Sequence, residues 1–190
     1  MNEKGFRLDF AIAVSALIVS FVAAGAAVYQ TRVIAQQFSA TVWPYISFDR
    51  TNSPWSSELD IRNDGLGPAI VRSVAITWDG KSEPTIEAVV AAAVAADPQG
   101  MRAARKAFSS GTKLSVSTST PTAGMVIPAD TKHMVFRMDG ALLVHYYRPA
   151  LKRVGLSLCY CSLTGSCWLQ KYSGSGDSDP QSIGSCPHNG

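Results

Sequence analysis

Charge is scarce in this sequence. Only 16% of its 190 residues are Asp, Glu, Lys or Arg, while 46% are hydrophobic. Globular domains in water carry about 25% charged residues, so one segment is expected to lie in lipid. What charge there is lacks a dominant sign. From Trp43 onward, 14 Lys/Arg stand against 12 Asp/Glu, with no basic stripe. Phosphate recognition needs clustered cations. The triplets Arg102/Arg105/Lys106 and Arg148/Lys152/Arg153 are too small for that and read as solvated faces, with anionic headgroups as the second reading. Nucleic acid is therefore not an expected partner.

Catalytic signatures are also missing. There is no G-x-S-x-G elbow and no calcium-loop spacing among Asp60, Asp64 and Asp79. The stretch GLGPAI at 65–70 places a proline where a phosphate cradle needs a donating N–H. His133 alternates with a strand's apolar face, His145 lies in a Tyr-rich stretch read as a strand, and both read as structural or surface residues. No enzyme activity and no cofactor are expected.

What is present begins with an uncharged run, FAIAVSALIVSFVAAGAAVY, at 10–29. A 20-residue helix covers about 30 Å, the thickness of a hydrocarbon core. Backbone groups in lipid must be satisfied internally, so the run is read as a transmembrane helix through the bilayer. Tyr29 and Trp43 suit its interface. Residues 1–9 form a flank, and 30–43 continue the helix until Pro44 forbids it. Lys4 and Arg7 before the span, against Arg32 after it, favour a cytoplasmic N-terminus. Cleavage at Ala24-Gly25-Ala26 is one alternative. A pilin-type leader at Lys4-Gly5-Phe6 is another, although Phe10 stands where pilins carry Glu.

From Tyr45 the pattern turns to β. Leu59 and Ile61 alternate with charges. The stretch NDGLGPA at 63–69 reads as a corner, with Gly65 and Gly67 permitting positive φ. Val74, Ile76 and Trp78 share a face before a tight Asp79-Gly80 turn. Residues 84–108 read as a helical insert starting at Pro84. The β pattern resumes at 132–138, 141–147 and 154–161. Residues 44–171 therefore form an antiparallel immunoglobulin-like β-sandwich with a helical insert, closure into a small barrel being the alternative. Residues 172–190 are polar and read as a flexible tail.

Three of the four cysteines fall within CYCSLTGSCW at 159–168. A chain turning back over 162–166 places Cys161 opposite Cys167, Tyr160 opposite Trp168 and Cys159 opposite Leu169. Opposed Cβ atoms are close enough for a bridge, and Tyr160 with Trp168 forms a core aromatic pair. Cys186 is left to pair with Cys159. An even count supports two disulfides if the domain lies outside the cytoplasm. Zinc ligation is disfavoured because one and five residues separate the cysteines and the fourth ligand would be Cys186 or His188. No C-x-x-C redox pair is present.

Together, the N-terminal span, Trp43-Pro44-Tyr45, NDGLGPAI at 63–70, Trp78-Asp79-Gly80 and the cysteine element resemble a group of bacterial single-pass membrane proteins with an immunoglobulin-like β-domain. The resemblance implies an anchor followed by a β-domain, and no activity. The expected role is a non-enzymatic binding or scaffolding protein of the cell envelope. Its place would be the inner membrane, with a periplasmic domain and a protein partner. A pilin-like or secretion-machine subunit and a cytoplasm-facing metal-binding sensor or effector are the alternatives.

Overall fold

A computed structural model describes residues 3–174 and 176–187. The chain divides into two units, residues 1–41 and 42–190.

The first unit is a single helix, α1 (Glu3–Thr41). Its stretch Ile12–Phe38 has a mean hydropathy of 2.2 and is long and apolar enough to cross a membrane. Apolar side chains such as Phe10, Leu17 and Val22 stand exposed on it, the exposure expected of a helix that crosses a bilayer. The hydroxyls of three of its described residues are satisfied one turn back. Ser15 donates to the carbonyl of Ile12, Ser20 to Ala16 and Thr31 to Ala27, all at 2.8–2.9 Å. A hydroxyl paired in this way does not need water. Tyr29 is exposed on this helix.

The second unit is mainly β, with two antiparallel sheets. The first sheet holds β1 (Ile46–Asn52), β2 (Ser56–Asn63), β5 (Ser115–Thr118) and β7 (Thr131–Asp139), in the order β1-β2-β7-β5. The second holds β3 (Ala69–Trp78), β4 (Lys81–Glu83), β8 (Val154–Cys161), β9 (Cys167–Ser173) and β10 (Gly176–Asp177), in the order β10-β9-β8-β3-β4. Two short strands lie off this path: β6 (Val126–Ile127) pairs with β3, and β11 (Gln181–Ile183) pairs with β9. Alternate residues of both sheets meet in one core. Ile46, Leu59, Ile61 and Phe136 come from one side, and Val71, Ile76, Leu158 and Tyr160 from the other. Asp79 (φ 53°) and Gly80 (φ 78°) close the β3–β4 turn, as the tight-turn reading of that dipeptide requires.

The helical insert is two helices, α2 (Ile86–Ala96) and α3 (Pro98–Ser109). The first begins at an N-cap on Thr85, whose hydroxyl accepts from the Ala88 N–H, and not at Pro84. Asp97 ends one helix and caps the next, accepting from the N–H groups of Gln99 and Gly100.

Two further segments differ from what the sequence predicts. Residues 141–147 form a helix, α4 (Ala141–Tyr147), and not a strand. Gly140, at φ 122°, redirects the chain, and Leu143, Val144 and Tyr147 then fall on one buried helical face. The segment after 171 is not a free tail. Strand β9 runs to Ser173, and β10 and β11 fold back onto it. The Gly174 carbonyl accepts from Arg50, and the Ser178 N–H donates to Lys171. Main-chain pairing and a disulfide hold a segment whose side chains are too polar to hold it themselves.

Candidate functional site

The β unit has two ends of different construction. At one end the chain enters at Val42, β8 finishes and the cysteines cluster. Strands β8 and β9 pair with Cys161 opposite Cys167, Tyr160 opposite Trp168 and Cys159 opposite Leu169. The turn between them is set by Gly165, at φ 85°, and by the Ser162 N–H donating to the Ser166 carbonyl. Cys161 is bridged to Cys167, and Cys159 to Cys186. No cysteine is free among the described residues. Closing these loops, with sequence separations of 6 and 27, is worth about 2 and about 3.5 kcal/mol in the chain-entropy description.

The bridges lie side by side. The Cys161 and Cys186 sulfurs are 3.7 Å apart, and with Cys167 they form the one sulfur cluster among the described residues compact enough for a metal. Every one of those sulfurs is in a bridge, and metal binding needs thiolates. His188, the other ligand considered, lies outside the described residues.

The aromatic pair stacks, with ring centroids 5.8 Å apart. Tyr160 is fully buried, while Trp168 is only partly so. The Tyr160 hydroxyl accepts from the Ile46 N–H and so joins the two sheets. Burial pushes this phenol up to about 12. Trp43 meets Trp168 at 6.3 Å and Tyr45 at 5.6 Å, both edge-on.

Sequence reading passed over the residue at the centre of this end, Asn63. Its side chain is fully buried. The amide oxygen accepts from Tyr45 and Gly65, and the NH2 group donates to the carbonyls of Gly67, Ile127 and Pro128. One side chain therefore pins three chain segments. The neighbouring glycines have a different reason from the one expected. Gly65 and Gly67 are absent from the positive-φ positions. A Cβ on Gly65 would stand 2.3 Å from the Tyr45 nitrogen, and one on Gly67 would stand 2.1 Å from the Val42 oxygen. They are glycines because backbone touches backbone there.

The opposite end has no covalent link. Helices α2, α3 and α4 cover the strand ends there and enclose a cavity of about 150 Å³. Trp78, Ile86, Val89, Phe136, Met138 and Leu143 are among its lining residues, and no polar atom reaches its wall. The cap is tied to β5 by Glu87, which accepts from the hydroxyls of Thr118 and Thr120. The Thr118 bond, then Glu87's own backbone N–H, then Thr120 hold its carboxyl down at about 2. Arg153 stands over the Trp78 ring at 4.8 Å and pairs with Asp79.

Of the two histidines considered, His133 contacts the Ser119 hydroxyl at 3.1 Å, and His145 lies edge-on to its neighbour Tyr146. Comparison with protein-family models, curated proteins and solved structures finds no match to this chain.

Proposed function

We propose that the chain is a membrane-tethered, non-enzymatic binding or scaffolding module of a bacterial envelope, its β unit working in the periplasm. The pairing of all four cysteines carries this reading. Disulfides persist in oxidising compartments and are rare in the cytosol, and here they close the end of the domain that follows the apolar helix. Lys4 and Arg7 ahead of that helix support the matching orientation. Residues 10–29 hold the bilayer, with Tyr29 and Trp43 as aromatic interface residues.

The strand order supports an immunoglobulin-like fold. β1-β2-β7-β5 against β9-β8-β3-β4 corresponds to an A-B-E-D sheet facing a G-F-C-C′ sheet. The bridges depart from antibody domains, because they sit at one end of a single sheet, on β8 and β9, and do not run between the sheets. Such a sandwich offers a rigid platform for loops that bind.

The compartment is tested by maleimide–polyethylene-glycol labelling in intact cells and after lysis, each with and without reductant. Thiols blocked until reduced, and then labelled in intact cells, are expected. Free thiols that label only after lysis would sink the periplasmic reading and leave an intracellular, metal-binding sensor. The binding role is tested by capture after deletion of 43–171 with the helix kept, and loss of captured partner is expected.

The uninterrupted length of α1, 39 residues, favours one second reading, a pilin-like or secretion-machine subunit. Mass spectrometry of the mature N-terminus separates the two. Phe6 as the first residue supports the second, and an intact Met1 ends it.

A further inference from the structure

The cavity at the capped end, about 150 Å³, is larger than a water molecule. Protein interiors pack like organic crystals, and voids bigger than a water are few. This one arises from residue choice. Helix α2 is an alanine-rich run, and Ala93 is buried against the space where a larger side chain would fill it. Ala104 on α3 faces the same space. An apolar cavity of about 150 Å³ stays dry and takes a molecule of about six carbons. A polar ligand is excluded, because the wall offers it no hydrogen-bond partner.

The cavity has a mouth. An adjoining surface depression shares Met101, Ala104, Val116 and Leu143 with it. That depression adds Phe108 and Arg105. Phe108 is 73% exposed and Val116 is 45% exposed, so apolar surface continues outward from the cavity. Arg105 is the charged side chain in the mouth. The helix that carries it, α3, has no acidic residue. The mouth is therefore cationic beside an apolar shaft.

We propose that this end binds a medium-chain monocarboxylic acid, with its alkyl tail in the cavity and its carboxylate at Arg105. A tail of about six carbons fills the enclosed part, and a guanidinium pairs a carboxylate with two parallel hydrogen bonds. The site gives the binding role a ligand class and to that extent rests on that reading. It does not depend on which side of the membrane the domain faces.

The test uses the full chain in lipid nanodiscs and a diazirine-bearing octanoic acid. Photolabelled residues are mapped by mass spectrometry, with unlabelled octanoate as competitor. Saturable, competed labelling is expected on peptides covering 86–94 and 101–108. Ala93→Phe, which fills the cavity, is expected to abolish it. Arg105→Glu lies on the surface and leaves the packing alone, and it is expected to weaken labelling about tenfold, the effect of losing one charge-assisted contact. The matching diazirine alcohol is expected to be indifferent to Arg105→Glu. Labelling confined to residues 10–38, or unchanged in both variants, overturns the site. Equal loss of acid and alcohol labelling in Arg105→Glu overturns the carboxylate assignment. Each of these outcomes is read separately from the cysteine-labelling result, so the site and the compartment fail independently.

Discussion

Small residues do opposite things at the two ends of the β unit. At the stapled end, Gly65 and Gly67 let backbone meet backbone, Asn63 pairs with five of the main-chain groups brought together there, and two disulfides fix the result. At the capped end, Ala93 and Ala104 leave space, and the apolar faces of the helices close over it without a covalent link. The first arrangement is specific and tolerates little, because polar partners and touching backbones have one geometry. The second is compliant, because apolar contacts are non-directional. A domain built this way can be rigid where its chain is attached and adaptable at the far side.

The comparison is broken most severely by reducing the bridges. Their combined chain-entropy contribution is about 5 to 6 kcal/mol, comparable to the whole stability of a small domain. Denaturant unfolding followed by Trp fluorescence, with and without dithiothreitol, is expected to show a loss of that order. Changing Gly67→Ala or Asn63→Ala strikes the same end without touching sulfur. The first needs a backbone shift and the second orphans buried donors and acceptors, so each is expected to cost about 2 to 4 kcal/mol in the same measurement. Enlarging a residue at the other end reverses the sign. Ala93→Leu fills space that costs about 24 cal/mol per Å³ when empty, and is expected to stabilise by about 1 kcal/mol, read as a raised Tm.

The smallest effects separate the ends by pH. Glu87 has its folded pKa held at about 2, below its usual value. Its contribution is present above the unfolded value and is lost as pH falls towards 2. Tyr160 has its pKa raised to about 12. The unfolded phenol ionises first, so stability is present below about pH 10 and is lost between 10 and 12. Glu87→Gln is expected to flatten only the acid limb of a stability–pH curve. Tyr160→Phe is expected to flatten only the alkaline limb, while also losing the bond to Ile46.

The stapled end was more legible in the sequence than the capped one. A strand alternates with period two, so a turn over 162–166 places Cys161 opposite Cys167 and Tyr160 opposite Trp168 from the sequence alone. Residues 141–147 gave no such help. Seven apolar and aromatic residues suit a buried strand or a short helix equally, and the choice was made by Gly140 and by packing. The segment after 171 was misread because composition reports side chains, whereas backbone hydrogen bonds and Cys186 hold it. The roles of Asn63 and of the two glycines depend on segments far apart in the chain. The cavity belongs to no single element, and no periodicity could announce it.

The Cys159–Cys186 bridge has one consequence beyond stability. It turns the chain from 159 to 186 into a closed ring containing β9, β10 and β11. A protease that cuts at the exposed Ser178-Asp179 bond opens the ring but frees no fragment, because the piece beyond the cut stays attached to β8 through sulfur. The chain can be nicked there without shedding β11, and only the combination of a cut and a reductant removes that strand.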